Sequence, residues 1–317
     1  MTNQFKQEDI FSMFEIEDVK PEKVELDKAG EKMKAFQARV KETKTEAATS
    51  VKKPEKKDTF KLTANTVIRY ANSEIPITQY FSFEEIESGI AKKKKGDEEV
   101  TYKPITEEDL RKKLEVDFPI LVPKYTTMVY VEKQDVVIPI MQAKKNGNTD
   151  CSQETSLNEV SSFRKIPYNL LSDFIRIALN YSNLYGTEVY ANIYYDYDTS
   201  DFFMDFPKQR VNRVLVTITE EAHETVMKFI DRRYMKVMEI HSHHVFSATP
   251  SQIDDENQQS PILYAIVGKI NNLFPEVIVR TFNLEKQSFI NIDPAKVFRI
   301  PDYRLVGNYD TSFIEVE

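Results

Sequence analysis

The stretch Met238-Glu-Ile-His-Ser-His-His-Val-Phe-Ser-Ala-Thr-Pro-Ser-Gln-Ile-Asp254 holds three of the four histidines of a 317-residue chain. Met235 to His241 reads as a strand, and a strand sends alternate side chains to the same face. His241 and His243 can therefore meet at one point, while His244 points the other way. Ser251-Gln-Ile-Asp254 has the form of a capping box, which opens a helix and fixes the residue at its third position. A carboxylate delivered there beside two imidazoles makes His241, His243 and Asp254 a candidate zinc site. The capping and ligand readings are compatible, because a cap holds the ligand still. Two nitrogens and one oxygen leave a fourth tetrahedral position for water, the layout of a catalytic zinc and not a structural one. Such a site activates water near neutral pH.

Outward from this stretch, the pattern is α+β without internal repeats. Leu170 to Tyr181 carries apolar residues at 170, 171, 174, 175, 178 and 179, the stripe of a helix facing a core. Glu188 to Tyr195 and Arg213 to Thr219 read as strands. Thr219, followed by two glutamates, caps a helix expected to run to about Arg233. Val277 to Leu284 and Ser288 to Ile292 are two late strands. These elements define a catalytic domain over 161–317, preceded by a polar, turn-rich linker at 147–160.

Residues 59–146 form a smaller unit. Thr66 to Thr78 reads as a hairpin turning at Ala71-Asn72-Ser73-Glu74, and Thr106-Glu-Glu-Asp109 caps a helix reaching about Asp117. Thr126 to Met141 gives a second strand pair turning near Lys133-Gln134. Strand, strand, helix, strand, strand is the order of a β-grasp domain. Glu84 to Lys103, with four lysines at 92–95, reads as an exposed loop. Residues 1–58 have the composition of a disordered charged tail, within which Asp9 to Val19 sets Ile10, Phe11, Phe14 and Ile16 among acids as a segment able to dock on a partner.

The formal charge of −8 and a pI near 5.3 argue against nucleic acid as a partner. The single cysteine, Cys151, excludes an internal disulfide and zinc sites built on paired thiolates. No signal peptide and no apolar run of about 20 residues is evident, so a cytoplasmic protein without a membrane anchor is expected.

The segment resembles the JAB/JAMM motif of the MPN metalloprotease family, H-x-H followed by seven residues and S-x-x-D. Here His241-Ser-His243 is followed by residues 244–250 and then Ser251 and Asp254. The resemblance implies a zinc metallopeptidase with an MPN-type α+β fold and ligands His241, His243 and Asp254. It also implies a glutamate about 45–55 residues upstream as general base, and Glu188 lies 53 residues before His241. Ser251 would donate a hydrogen bond to the oxyanion of the tetrahedral intermediate. Glu239, on the same strand parity as the ligands, is the rival base. Many eukaryotic members have proline after the second histidine, where His244 stands here. The wider segment, with Tyr264-Ala-Ile-Val-Gly268, Lys165-Ile-Pro-Tyr and Ile193-Tyr-Tyr-Asp196, is similar to bacterial JAB proteins of the PRTRC type found on mobile elements. Residues 59–146 are similar to their small ubiquitin-like companion, in Ile68-Arg-Tyr-Ala-Asn and Thr106-Glu-Glu-Asp-Leu.

The expected function is a deubiquitinase-like isopeptidase or peptidase acting on a ubiquitin-like protein or its conjugates, with a ubiquitin-activating-like enzyme as a further partner. The alternative is a non-catalytic MPN scaffold or adaptor in a ubiquitin-like or mobile-element maintenance system, although such relatives usually lose a ligand or the base. A third reading is a related hydrolase with another substrate. A zinc deaminase is excluded, since no H-x-E with P-C-x-x-C occurs.

Overall fold

The computed structural model describes residues 60–93, 100–118, 121, 125–141, 154–156, 164–301 and 313. The tail expected at 1–58, with its Asp9 to Val19 segment, lies outside the described residues. Among the described residues, six α-helices and several sheets make a mixed α+β arrangement. No helix among the described residues is long and apolar enough to cross a membrane.

In the first unit, β1 (Val67–Tyr70) and β2 (Ser73–Pro76) form the expected hairpin, with Ala71 at φ 50 in the turn. Helix α1 (Phe83–Ser88) and an antiparallel pair, β3 (Ile90–Lys93) with β4 (Val100–Lys103), follow. They replace the loop expected at 84–103: Ser82 and Glu85 form a capping box that starts α1, and the lysine run begins inside β3. Helix α2 (Glu107–Asp117) starts at the capping box of Thr106 and Asp109, as its sequence pattern requires. Strands β5 (Thr126–Val131) and β6 (Val136–Met141) complete a four-stranded sheet of order β2-β1-β6-β5, in which β1 runs parallel to β6 and the other pairs are antiparallel.

The β5 and β6 sequences are apolar almost throughout, and the packing explains why. Met128, Tyr130 and Val137 face Leu110 and Leu114 of α2 in one core. Val129, Val131, Val136, Ile138 and Ile140 face the other way, against Ala222 and Val226 of the second unit. A sheet covered on both faces loses the alternation of a half-exposed one. The first unit is therefore docked on the second by its open sheet face, and a cavity of about 190 Å³ between them is lined by Arg69, Ile140, Tyr234 and Lys236 among others.

The second unit begins with β7 (Glu154–Ser156), inside the stretch expected as linker, and β8 (Ile166–Pro167). Helix α3 (Tyr168–Tyr185) buries Leu171, Phe174 and Ala178 on the predicted stripe and ends at Gly186, whose φ of 63 is the left-handed stop that glycine makes cheaply. Then come β9 (Tyr190–Asp196), β10 (Asp201–Asp205), β11 (Gln209–Val211), β12 (Val216–Ile218), α4 (Ala222–Lys228) and β13 (Tyr234–Ser242). The chain continues with α5 (Gln252–Asn257), β14 (Leu263–Gly268), β15 (Glu276–Asn283), β16 (Ser288–Ile292), α6 (Pro294–Val297) and β17 (Phe298–Arg299). The main sheet has the order β10-β9-β13-β14-β15-β16-β7, so β13 lies between two neighbours.

Two boundaries differ from expectation. Helix α4 is capped by Glu221 with Glu224, not by Thr219, and stops at Lys228. Phe229 leaves the helix to join an aromatic cluster with Tyr194, Phe203 and Tyr234, and that burial outweighs further helix. The strand expected from Arg213 is confined to β12, because Asn212 and Leu215 close a turn that folds it back on β11.

Candidate metal centre

Strand β13 carries His241 level with Tyr190 of β9 and Ile266 of β14. His243 lies just past the strand end, and its amide still donates to the Val267 carbonyl at 2.8 Å. Both rings thus hang from the interior of a sheet, where backbone pairing on two sides limits movement. The following loop crosses directly over Gly268: a Cβ there would lie 2.1 Å from the Ala248 amide nitrogen, so only glycine lets the loop pass. The loop leads to Ser251, which caps α5 and places Asp254 in its first turn.

Three donor atoms converge. His241 Nε2 lies 3.0 Å from His243 Nε2, and the Asp254 carboxylate oxygens lie 3.1 Å from His241 Nε2 and 3.2 Å from His243 Nε2. Zinc–ligand bonds of about 2.0–2.1 Å in a tetrahedron set donors roughly 3.3 Å apart, and these separations, to Oδ1 from His241 and to Oδ2 from His243, are close to that spacing. The donor chemistry, two imidazoles and one carboxylate, fits that ion as well. His243 Nδ1 lies 2.9 Å from the Ser247 carbonyl, which can only accept. Nδ1 therefore carries a proton, and Nε2 is the nitrogen left for a metal.

The electrostatics of the metal-free cluster follow from burial and close opposite charges. Burial works against a charged His243, but the hydrogen bond and charge of Asp254, the charge of Glu188 and the Ser247 carbonyl raise it to about 9. Burial alone would raise Asp254; His241 and His243 outweigh it and hold the carboxyl well below its ordinary range. The cluster is thus an imidazolium–carboxylate set whose proton a metal ion would displace.

Glu188 lies in the lead-in to β9, two residues before the strand and not at its opening, with its amide bonded to the Asn212 carbonyl at 3.0 Å. Its side chain is 4 % exposed. Burial raises its pKa to about 8, eased by the charge of His243 and reinforced by that of Asp254, so the carboxyl is electrostatically part of the cluster. Ser251 is brought to the same place, but its hydroxyl is engaged with Asp254, donating to Oδ2 at 2.6 Å and accepting from the Asp254 amide at 3.2 Å. Glu239, the rival base, is buried and paired with Lys236 at 3.0 Å. The structure thus brings His241, His243, Ser251 and Asp254 together, with Glu188 coupled to His243 and Asp254 through charge.

Three further contributors carried no signal in the motif. Ser242, between the two histidines, bonds reciprocally with Val189. Glu276 accepts the Ala248 amide at 3.1 Å and fixes the loop from the far side. His244 is buried and joined to Ser182 of α3 at 2.5 Å. Only Gly268, a lone glycine at the end of an apolar run, could have been suspected from sequence, as a close backbone approach.

No family model and no curated protein matches the sequence. Among solved structures, the chain is similar to a protein from Salinibacter ruber at 16% identity, covering 44% of this chain and 94% of that one with a TM-score of 0.29. It is also similar to a protein from Desulfitobacterium hafniense at 15% identity, covering 41% and 92% with a TM-score of 0.26.

Proposed function

We propose that this protein is a zinc-dependent peptidase or isopeptidase of the JAB/JAMM (MPN) kind, acting at ubiquitin-like tails or conjugates. The observation that carries the reading is the convergence of His241, His243 and Asp254 donors within 3.0–3.2 Å, beside a buried glutamate that feels their charges. His241 and His243, through Nε2, and Asp254 would hold the ion. Bound zinc would polarise the scissile carbonyl and lower the pKa of the attacking water. Glu188 is the proposed general base: it would accept a proton from the attacking water and return it to the leaving amine. Glu188 is buried at 4 % exposure, which shields the proton it would carry from bulk solvent. Ser251 turns its hydroxyl from Asp254 towards the developing oxyanion, a rotation about one bond.

The first unit supports the same reading. A four-stranded mixed sheet with β1 parallel to β6 and one main helix on a face is the arrangement expected of a ubiquitin-like β-grasp domain. Its sheet is docked on α4, which favours a fixed adaptor that presents a substrate or recruits a ubiquitin-activating-like enzyme. The single cysteine and the acidic balance fit a cytoplasmic setting.

The test is incubation of the zinc-loaded protein with ubiquitin-like fusions from its own genomic neighbourhood, beside Glu188→Gln. Cleavage by the wild type alone is expected. Zinc binding without cleavage of any fusion would instead favour the scaffold reading.

A further inference from the structure

The turn after the histidine pair has a backbone that metal ligation alone does not explain. Phe246 N donates to the His243 carbonyl at 2.9 Å, closing a four-residue turn over 243–246. His244, its first central residue, has φ 51, whereas Val245 is not in the positive-φ region. His244 therefore has a positive φ at the first central position of the turn, where glycine carries no steric cost. Histidine enters this region more readily than most side chains, yet it needs a reason to stay there.

The reason lies in what the residue touches. His244 Nδ1 meets Ser182 Oγ at 2.5 Å in the last turn of α3, and both side chains are buried. The His244 carbonyl accepts from Ile270 N at 3.0 Å, just beyond β14. Three segments around the metal centre therefore meet at one residue. Proline, with φ fixed near −65°, cannot adopt this conformation. The departure from the histidine–proline sequence of many eukaryotic members is thus part of a differently built loop. The same turn presents the Ser247 carbonyl to His243 Nδ1 at 2.9 Å, the contact that assigns Nε2 to the metal.

We infer that His244 and Ser182 are positioning residues of the metal centre: their bond holds the 243–246 turn, and the turn orients His243 as a ligand. The inference rests on the proposed zinc reading. Removing a partner that orients a ligand from behind typically costs 10–100-fold in metal affinity. A ring freed to rotate binds more weakly even when every ligand is present.

The test measures zinc affinity of the full-length protein by competition with a chromophoric chelator, with melting temperatures for the metal-free and zinc-loaded forms. Ser182→Ala and His244→Gly should each bind zinc about 10–100-fold more weakly than wild type. The glycine keeps the turn but loses the bond to Ser182, so its result decides the matter if Ser182→Ala does not fold. His244→Asn, which tolerates the left-handed backbone and offers Ser182 a partner, should recover part of the affinity. Unchanged affinity in both weakened variants, with melting temperatures lowered equally in the two forms, overturns the inference while leaving the zinc site intact. A wild-type protein that binds no zinc overturns the site and the clamp together.

Discussion

Val189 and Ser242 are bonded to each other twice: the Val189 amide donates to Ser242 Oγ at 3.0 Å, and the Ser242 amide donates to the Val189 carbonyl at 3.0 Å. Val189 follows the proposed base, and Ser242 stands between the two proposed histidine ligands. The pair ties the backbone beside Glu188 to the segment that carries His241 and His243. Ser242→Ala would leave the buried Val189 amide without its side-chain acceptor, at a cost of about 1–3 kcal/mol. Denaturant unfolding should show that loss, and peptidase activity should fall further than stability explains, because Glu188 shifts. Wild-type activity in a destabilised Ser242→Ala would show that the pair serves the fold alone.

His243→Ala or Asp254→Ala should release zinc from the purified protein, since two remaining protein ligands rarely hold the ion against dilution. Elemental analysis checks this. Full occupancy in both variants would remove the ligand assignment.

Glu188→Gln should retain zinc and lose several orders of magnitude in turnover, because the amide cannot accept the proton. Ser251→Ala should cost less, on the order of 10²–10³-fold, as for one oxyanion donor. A Glu188→Gln enzyme that still turned over normally, against an inactive Glu239→Gln, would transfer the role of base to Glu239.

The metal-free protein should lose stability as pH rises. His243 is raised to about 9 from 6.5, so its contribution is complete below about 6.5 and is lost by about 9. Glu188, raised to about 8 from 4.5, acts in the same direction between those values. Asp254, held low, gives stability that disappears only in acid, below the ordinary carboxylate range. Zinc bound as proposed would displace the His243 proton, so zinc affinity should rise with pH up to about 9. Melting curves from pH 6 to 9.5, with and without zinc, test both statements. A metal-free protein whose melting point climbs over that range would contradict the cluster's electrostatics.

A fragment covering 154–317 should fold and bind zinc, because it keeps β7 and every ligand. It should also self-associate or melt below the intact chain, since Ala222 and Val226 lose the sheet that covers them. Analytical ultracentrifugation and thermal melts decide this, and a monomer as stable as the full chain would show that the docked sheet adds nothing.

Much of this protein was legible as sequence because the determining patterns are short. The His241-Ser-His243 alternation, the Ser251–Asp254 cap, the stripe of α3 and the Thr106 box each act within one element, where periodicity and local hydrogen bonding fix the outcome. Other features depend on residues far apart in the chain, and no local pattern announces them. Helix α4 stops at Lys228 because Phe229 is drawn to Tyr194 and Phe203. The apolar β5 and β6 owe their second buried face to α4, some ninety residues later. That Glu188 feels the charges of His243 and Asp254 depends on long-range placement, with Val189 beside it paired to Ser242 of β13. His244 was readable only as a residue turned away from the ligands; that it holds a left-handed turn against Ser182 follows from where α3 ends. The sequence determined the local elements and the spacing of His241, His243, Ser251 and Asp254 along them. Only the tertiary structure decided which of those elements meet, because long-range packing, not local preference, chooses their neighbours.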